Sequence, residues 1–422
     1  MQKVNRILFL LLILMVPGLL YSQSLDSLKN IAVAVSPGLK MLQAKSDAAK
    51  SKANINSNLP DPVLTLGLAN MPTNTFSFTQ EPMTGKIVGL SQAIPFPGKL
   101  SAAADAEGKD AEIIRQEYDD ARNEIIKNIS QDYFELIYTR KAIEVANESI
   151  QLLQNIAKVV KTSYSVSRAS QQNILKVELE ITNLNVKIDE LKSGENSLVA
   201  KINAELLRPA DMPVITDSLP TLKYYNLTQQ QLDSLAVKNR PFLTGTKLAQ
   251  EKAALQENLA KYDYYPNFNL SVQYSQRDRI AKTNTPLADF ATVMVGVSLP
   301  LNYGGKVDSK VEAAAATYQM YEEQYNLSLQ VLNSNFGTSL AKLSSLQSRI
   351  SLVKEALLPQ AQQTYASSLS DYQVGKVDFI NVIDAQNKLF QVETNLYRLK
   401  SDYLKEIENL KFLTGSQDLE SY

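Results

Sequence analysis

Residues 89–100 read GLSQAIPFPGKL, and residues 296–307 read GVSLPLNYGGKV. In each, an alternating, strand-like run stops at prolines or glycines, and a long helix-like pattern follows. Gly89, Ser91, Gly98 and Lys99 are matched at Gly296, Ser298, Gly305 and Lys306, an offset of 207. The echo has companions. LDSL occurs at Leu25–Leu28 and again at Leu232–Leu235, also 207 apart. NLPDPVLTLGL from Asn58 aligns with YYPNFNLSVQ from Tyr264 at 206, and YSVSRASQQNIL from Tyr164 aligns with YQVGKVDFINVI from Tyr372 at 208. Chance produces single tetrapeptide matches but not four in the same order, so the chain is a tandem duplication.

The duplication divides the sequence into a leader at 1–22, a first repeat at 23–208, a proline-rich linker at 209–227, a second repeat at 228–414 and a tail at 415–422. Each repeat predicts a first helix (25–57 and 228–262) that ends before Pro60 or Pro266, as helices tend to end before proline. A hairpin follows at 62–94 and 267–301, then a long helix (100–162 and 307–367) and another (170–207 and 377–413). Ile129, Leu136, Ile143 and Ile150 fall seven apart, as do Phe336, Leu343, Ile350 and Leu357. That spacing predicts helices packed side by side with coiled-coil-like geometry. Sixty helical residues span about 90 Å, more than a globular core requires.

The hairpins alternate with period two. Leu64, Leu66 and Leu68, then Val88 and Leu90, stand against Thr65, Gly67, Gly89 and Ser91. In the second repeat Phe268, Leu270 and Val272, then Val295 and Val297, stand against Asn269, Ser271, Gly296 and Ser298. Such runs fit membrane strands with the apolar positions toward lipid, and they also fit a half-buried soluble sheet. The leader favours the membrane. Lys3 and Arg6 precede an apolar run from Ile7 to Val16 that Pro17 and Gly18 break, the pattern of a secretory signal. Four strands cannot close a barrel alone, and open edges are not tolerated in lipid, so several chains must share one barrel. Two chains would fill their barrel with side chains; three would leave a lumen. Pro95, Pro97 and Gly98 in the first repeat, with Gly304 and Gly305 in the second, mark the strand-to-helix junctions.

Composition narrows the chemistry. The 422 residues carry 43 basic and 44 acidic side chains, with no basic excess for nucleic acid. Cys, His and Trp are absent, which removes disulfides, thiolate and imidazole catalysis and an acylated N-terminal cysteine. No catalytic constellation is present, so no enzyme activity and no cofactor is expected. Met71 and Met83 flank the first hairpin loop, but two thioethers without His or Cys make a weak site, and no metal site is assigned. The Asp119–Asp120 pair reads as a solvated helix surface, since adjacent residues do not share a helix face.

With PDPVLTLGLANMP, MTGKIVGLSQAIPFPGKL and the run Tyr372–Ala385 in view, the chain resembles the TolC family of outer-membrane efflux proteins over essentially its whole mature length. The first two stretches are most similar to the branch serving heavy-metal resistance-nodulation-division pumps. The resemblance implies a mainly α homotrimer with a small membrane barrel: twelve shared strands, an α-helical barrel and an equatorial collar. It implies an outer-membrane duct for metal cations, fed by a periplasmic membrane-fusion adaptor and an inner-membrane pump. At the periplasmic constriction, family positions fall on Asn381 and Asp384, so one usual acid is an amide; Tyr372 matches a tyrosine that ties the helix pair to its neighbour, and its first-repeat counterparts are Gln172 and Asn173. Three Asp384 carboxylates around a narrow axis would attract cations, while Asp378 reads as a helix cap. The other readings are a soluble periplasmic coiled-coil spacer, and a duct for drugs or secreted protein.

Overall fold

The computed structural model describes residues 24–419 apart from Arg168; the leader at 1–22 lies outside the described residues, as do 420–422. The first repeat contains α1 (Leu25–Val35), α2 (Pro37–Asn56), β1 (Val63–Ala69), β2 (Gly85–Ile94), α3 (Lys99–Ser165) and α4 (Gln171–Glu205). The second runs through α5 (Gln229–Asn239), α6 (Pro241–Lys261), β3 (Asn267–Gln276), β4 (Phe290–Ser298), α7 (Lys306–Leu352), α8 (Leu358–Gln373) and α9 (Phe379–Thr414).

Three departures from the sequence reading have local causes. The first helix of each repeat is two helices, broken at Ser36–Pro37 and at Arg240–Pro241. Proline sterically pushes the preceding residue out of the helical region, and Ser36 and Arg240 accordingly have ψ near 118° and 112°. Each proline then starts the next helix, where its missing N–H costs nothing, and the Ser36 hydroxyl accepts from the Leu39 N–H at 3.3 Å. Second, β4 ends at Ser298, so Leu299–Leu301 lie beyond the strand. Third, the long helix of the second repeat is interrupted by a π turn at Val353–Leu357. The repeats align at 207 through Leu357 and at 208 by Tyr372, so the second copy carries one extra residue. A π turn closes i to i+5 instead of i to i+4, and so absorbs one residue without ending the helix. The turn also carries the heptad out of step: Ile350 is 1% exposed but Leu357 is 37% exposed.

The chain forms two compact units that draw on both repeats: residues 24–39, 120–240 and 331–419 in one, 40–119 and 241–330 in the other. The first unit is helical around two apolar cores. One gathers Leu28, Ile129, Leu136 and Ile202; the other gathers Leu153, Val160, Val177, Phe379 and Val382. The second unit holds the sheet, a smaller helical core around Ala49, Ala111 and Ile114, and the strand-to-helix junctions.

The sheet is an antiparallel meander in the order β1-β2-β3-β4. β2 pairs with β3 through Leu90↔Val272 and Ile94↔Phe268, so the hairpins of the two repeats form one sheet. No described helix is long and apolar enough to cross a membrane.

Candidate functional site

The strand register decides which side chains share a face. Leu66 pairs with Val88 and Leu64 with Leu90; Leu90 pairs with Val272, and Val272 with Val293. Phe268 pairs with Val297, and Leu270 with Val295. Leu64, Leu66, Leu68, Val88, Leu90, Phe268, Leu270, Val272, Val295 and Val297 therefore lie on one face of the sheet. Within the chain that face is bare: Leu66 is 70% exposed and Val295 66%. The other face presents Thr65, Gly67, Gly89, Ser91, Asn269, Ser271, Gln273, Thr292, Gly296 and Ser298. Strands of nine or ten residues in β2, β3 and β4 match the length a tilted membrane strand needs.

Both ends of the sheet carry aromatic side chains that the sequence reading did not single out. At the end nearest the helices, Phe96 stacks on Tyr265 at 4.5 Å and lies 6.4 Å from Tyr262, while Tyr264 and Tyr303 are exposed. At the loop end stand Phe76, Tyr274 and Phe290, with the Arg277 guanidinium 3.6 Å from the Phe290 ring centre. Amphipathic rings concentrate at membrane–water boundaries, so two bands flanking an apolar strip are a membrane signature. The cluster YDYY at 262–265, just before β3, was the visible signal.

At the first junction β2 stops at Ile94, where Pro95 and Pro97 offer no N–H to the ladder. Gly98 takes φ +89° and delivers the chain into α3, where Lys99 begins the helix. The second junction uses Asn302, Gly304 and Gly305, with φ of 47°, 63° and 70°. One carboxylate serves both junctions. Asp263 lies 2.7 Å from the Lys99 ammonium, and it also pairs with Lys310 one turn into α7. Burial works against the Asp263 carboxylate, but Lys310 and Lys99 hold its pKa below the usual range.

The helical unit places the remaining candidates near the α8–α9 turn. Tyr372, half-buried, packs its ring 5.2 Å from that of Phe379. Its hydroxyl makes no well-formed hydrogen bond, and the Asn173 amide is the polar group that faces it; burial raises its pKa and Asn173 opposes the rise. Gln172 is exposed on the first turn of α4. Asn381 and Asp384 are exposed and three residues apart on α9, hence on one helix face. Tyr372 and Asn173 thus meet, whereas Asn381 and Asp384 point away from the core of their own chain. Asp378 sits at the N-cap of α9 but its side chain makes no capping bond. Among the described residues no three acidic side chains converge as a metal site.

Residues 232–416 match the family model described as outer membrane efflux protein. The cobalt-zinc-cadmium resistance protein CzcC of Cupriavidus metallidurans is 20% identical over 71% of this chain and 69% of its own length. The cation efflux system protein CusC of Escherichia coli K12 is 22% identical over 82% of this chain and 75% of its own. Among solved structures, the outer membrane protein VceC of Vibrio cholerae superposes with a TM-score of 0.78 at 19% identity, covering 94% of this chain and 98% of that one.

The second repeat matches the outer membrane efflux protein family.

The efflux fold accounts for the sheet, the tandem helices and the apolar face in one architecture. The matched family is, by its description, one of outer-membrane efflux proteins.

Proposed function

We propose that three copies of the chain form the exit duct of a tripartite efflux system, carrying metal cations across the outer membrane. The observation that carries the reading is the sheet: one face is apolar and largely bare apart from Lys86 and Gln92 on β2, with β1 and β4 as unpaired edges. Because every neighbour in the meander is antiparallel, β4 runs opposite to β1, and β4 of one copy can pair with β1 of the next without breaking the alternation. Lipid offers no partner for edge N–H and C=O groups, so the ring must close. Three four-stranded sheets give a barrel wide enough for a lumen. Lipid contacts the Leu66–Val295 face, and Thr65, Ser271 and Gln273 line the interior. Metal cations are the favoured cargo because both relatives carry metal or cation efflux in their names.

A periplasmic adaptor and an inner-membrane pump of the resistance-nodulation-division class supply the energy, and the duct itself performs no chemistry. Its narrow end is built around Asp384 and Asn381, with Tyr372, Asn173 and Gln172 holding the helix pairs.

The chain has no native cysteine, so engineered ones report cleanly. Single cysteines placed along β1 and along β4, combined pairwise, are expected to give covalently linked trimers in intact cells. Only monomers across the whole pairwise set, together with release by osmotic shock without detergent, would return the soluble coiled-coil reading. Sensitivity of a deletion strain to drugs but not to cobalt, zinc, cadmium, copper or silver would reassign the cargo.

A further inference from the structure

The helical unit contains a cavity of about 600 Å³, within the usual range of ligand pockets. Its outer wall is the linker stretch Thr216–Leu222, and its floor is made by α3, α9 and the π turn. Four cations line it, Arg140, Lys141, Lys354 and Lys400, against the carboxylates of Glu144 and Asp217.

The four are not equivalent. The Arg140 guanidinium is engaged: Nε donates to Glu195 at 2.7 Å, and Nη1 donates to the Val214 carbonyl at 2.8 Å and the Thr216 hydroxyl at 2.7 Å. It pins the linker wall. Lys141 is paired with Glu144 at 2.8 Å. Among the described residues Lys400 has no carboxylate within salt-bridge distance, and its ammonium lies 5.2 Å from the Tyr397 ring centre, with that of Lys141 5.3 Å from the same ring. Lys354, exposed on the π turn, likewise lacks a carboxylate partner among the described residues. Burial and the neighbouring Lys354 charge both push the Lys400 pKa down. Two unpaired ammoniums facing one cavity, one half-buried, are unfavourable unless something anionic neutralises them.

The repeat supplies an internal comparison. At an offset of 207, Lys354 corresponds to Asn147 and Lys141 to Ser348; at 208, Tyr397 corresponds to Asp189, and only Lys400 meets another lysine, Lys192. The charge cluster is therefore absent from the first copy. Its key member stands on the π turn, the point where the second copy departs from the first, and such turns recur at functional sites.

We propose that this cavity binds a small organic or inorganic anion carrying at least two negative charges, as phosphate or carboxylate oxygens, held between Lys354 and Lys400 with the Ser218 and Thr221 hydroxyls on the linker wall. Compact, strongly hydrated ammoniums suit phosphate and carboxylate groups as point charges, with no demand for a planar fork.

The test uses the full-length protein in detergent, titrated calorimetrically with pyrophosphate in one arm and citrate in the other, at fixed ionic strength. One saturable site per chain in either arm is expected, and the arm that binds identifies the anion chemistry. Lys354→Gln and Lys400→Gln should each weaken binding about tenfold or more, the double variant should abolish it, and Lys192→Gln should leave it unchanged. Without anion, both variants should be at least as heat-stable as the parent, which separates lost binding from lost folding. Unchanged affinity in the variants, no saturable binding in either arm, or a heat response that follows ionic strength equally in all proteins would overturn the site. So would a change of oligomeric state in the variants, because the lysines would then serve a contact between copies.

Discussion

The Tyr262 hydroxyl lies against Gly98, 2.8 Å from where a β-carbon on that glycine would stand. Gly98 is doubly constrained: its φ of +89° disfavours any side chain, and the tyrosine fills the space a methyl would need. Gly305, at the matching position of the second junction, has φ +70° but open surroundings, with Asp308 Oδ2 the nearest atom at 3.9 Å.

The two glycines therefore predict unequal costs. Gly305→Ala should lose about 1–2 kcal/mol, the left-handed backbone penalty alone. Gly98→Ala should lose more, roughly 2–3 kcal/mol, because steric displacement of Tyr262 adds to the strain. Thermal unfolding of the two variants in the same detergent measures the difference, and equal losses would show that Tyr262 yields freely.

Register predicts a face-specific effect within one strand. Val272→Arg puts a charge on the apolar face between Leu90 and Val293. It should cost about 2–4 kcal/mol of membrane stability if it lies near the bilayer midplane. Ser271→Arg, one residue away on the opposite face, should assemble normally and instead alter conductance. The yield of folded protein in outer-membrane fractions, with single-channel recording, separates the two.

Acid sensitivity should trace to Glu135. Burial pushes its carboxyl up, but Lys405 and Arg398, at 2.7 Å and 2.6 Å, together hold it below the ordinary glutamate range. A carboxyl with a depressed folded pKa contributes stability that is fully present above about pH 4.3, the unfolded value, and is lost as pH falls through the folded one. Glu135→Gln should therefore melt several degrees below the parent at neutral pH, and the gap should close on acidification. A gap independent of pH would mean that the loss is steric.

Asp384 is the remaining acid at the proposed constriction, exposed on α9 beside Asn381. In planar bilayers, Asp384→Ala is expected to reduce cation preference and relieve block by divalent ions, while Asn381→Asp should strengthen both. Unchanged selectivity in Asp384→Ala would place the constriction elsewhere.

The sequence alone determined what depends on local pattern. Tandem matches revealed the duplication, alternation at Leu64–Leu68 and Phe268–Val272 assigned the strands and their faces, and proline and glycine at 95–98 and 304–305 marked the exits. Backbone dihedrals and side-chain period act over a few residues, so they are written along the chain. The breaks at Ser36 and Arg240 were also local but hidden, because proline is welcome in the first turn of the helix that follows it. The drift from 207 to 208 announced one extra residue but not its form; only packing of the continuous helix on both sides turned it into a π turn rather than a longer loop. The Asp263 link to Lys99 joins residues 164 apart, and the lysine cavity gathers side chains from both repeats and the linker. Such convergence has no periodicity to betray it. Two residues in an ion pair need share nothing in sequence; they need only be brought to the same place, and the tertiary fold alone does that.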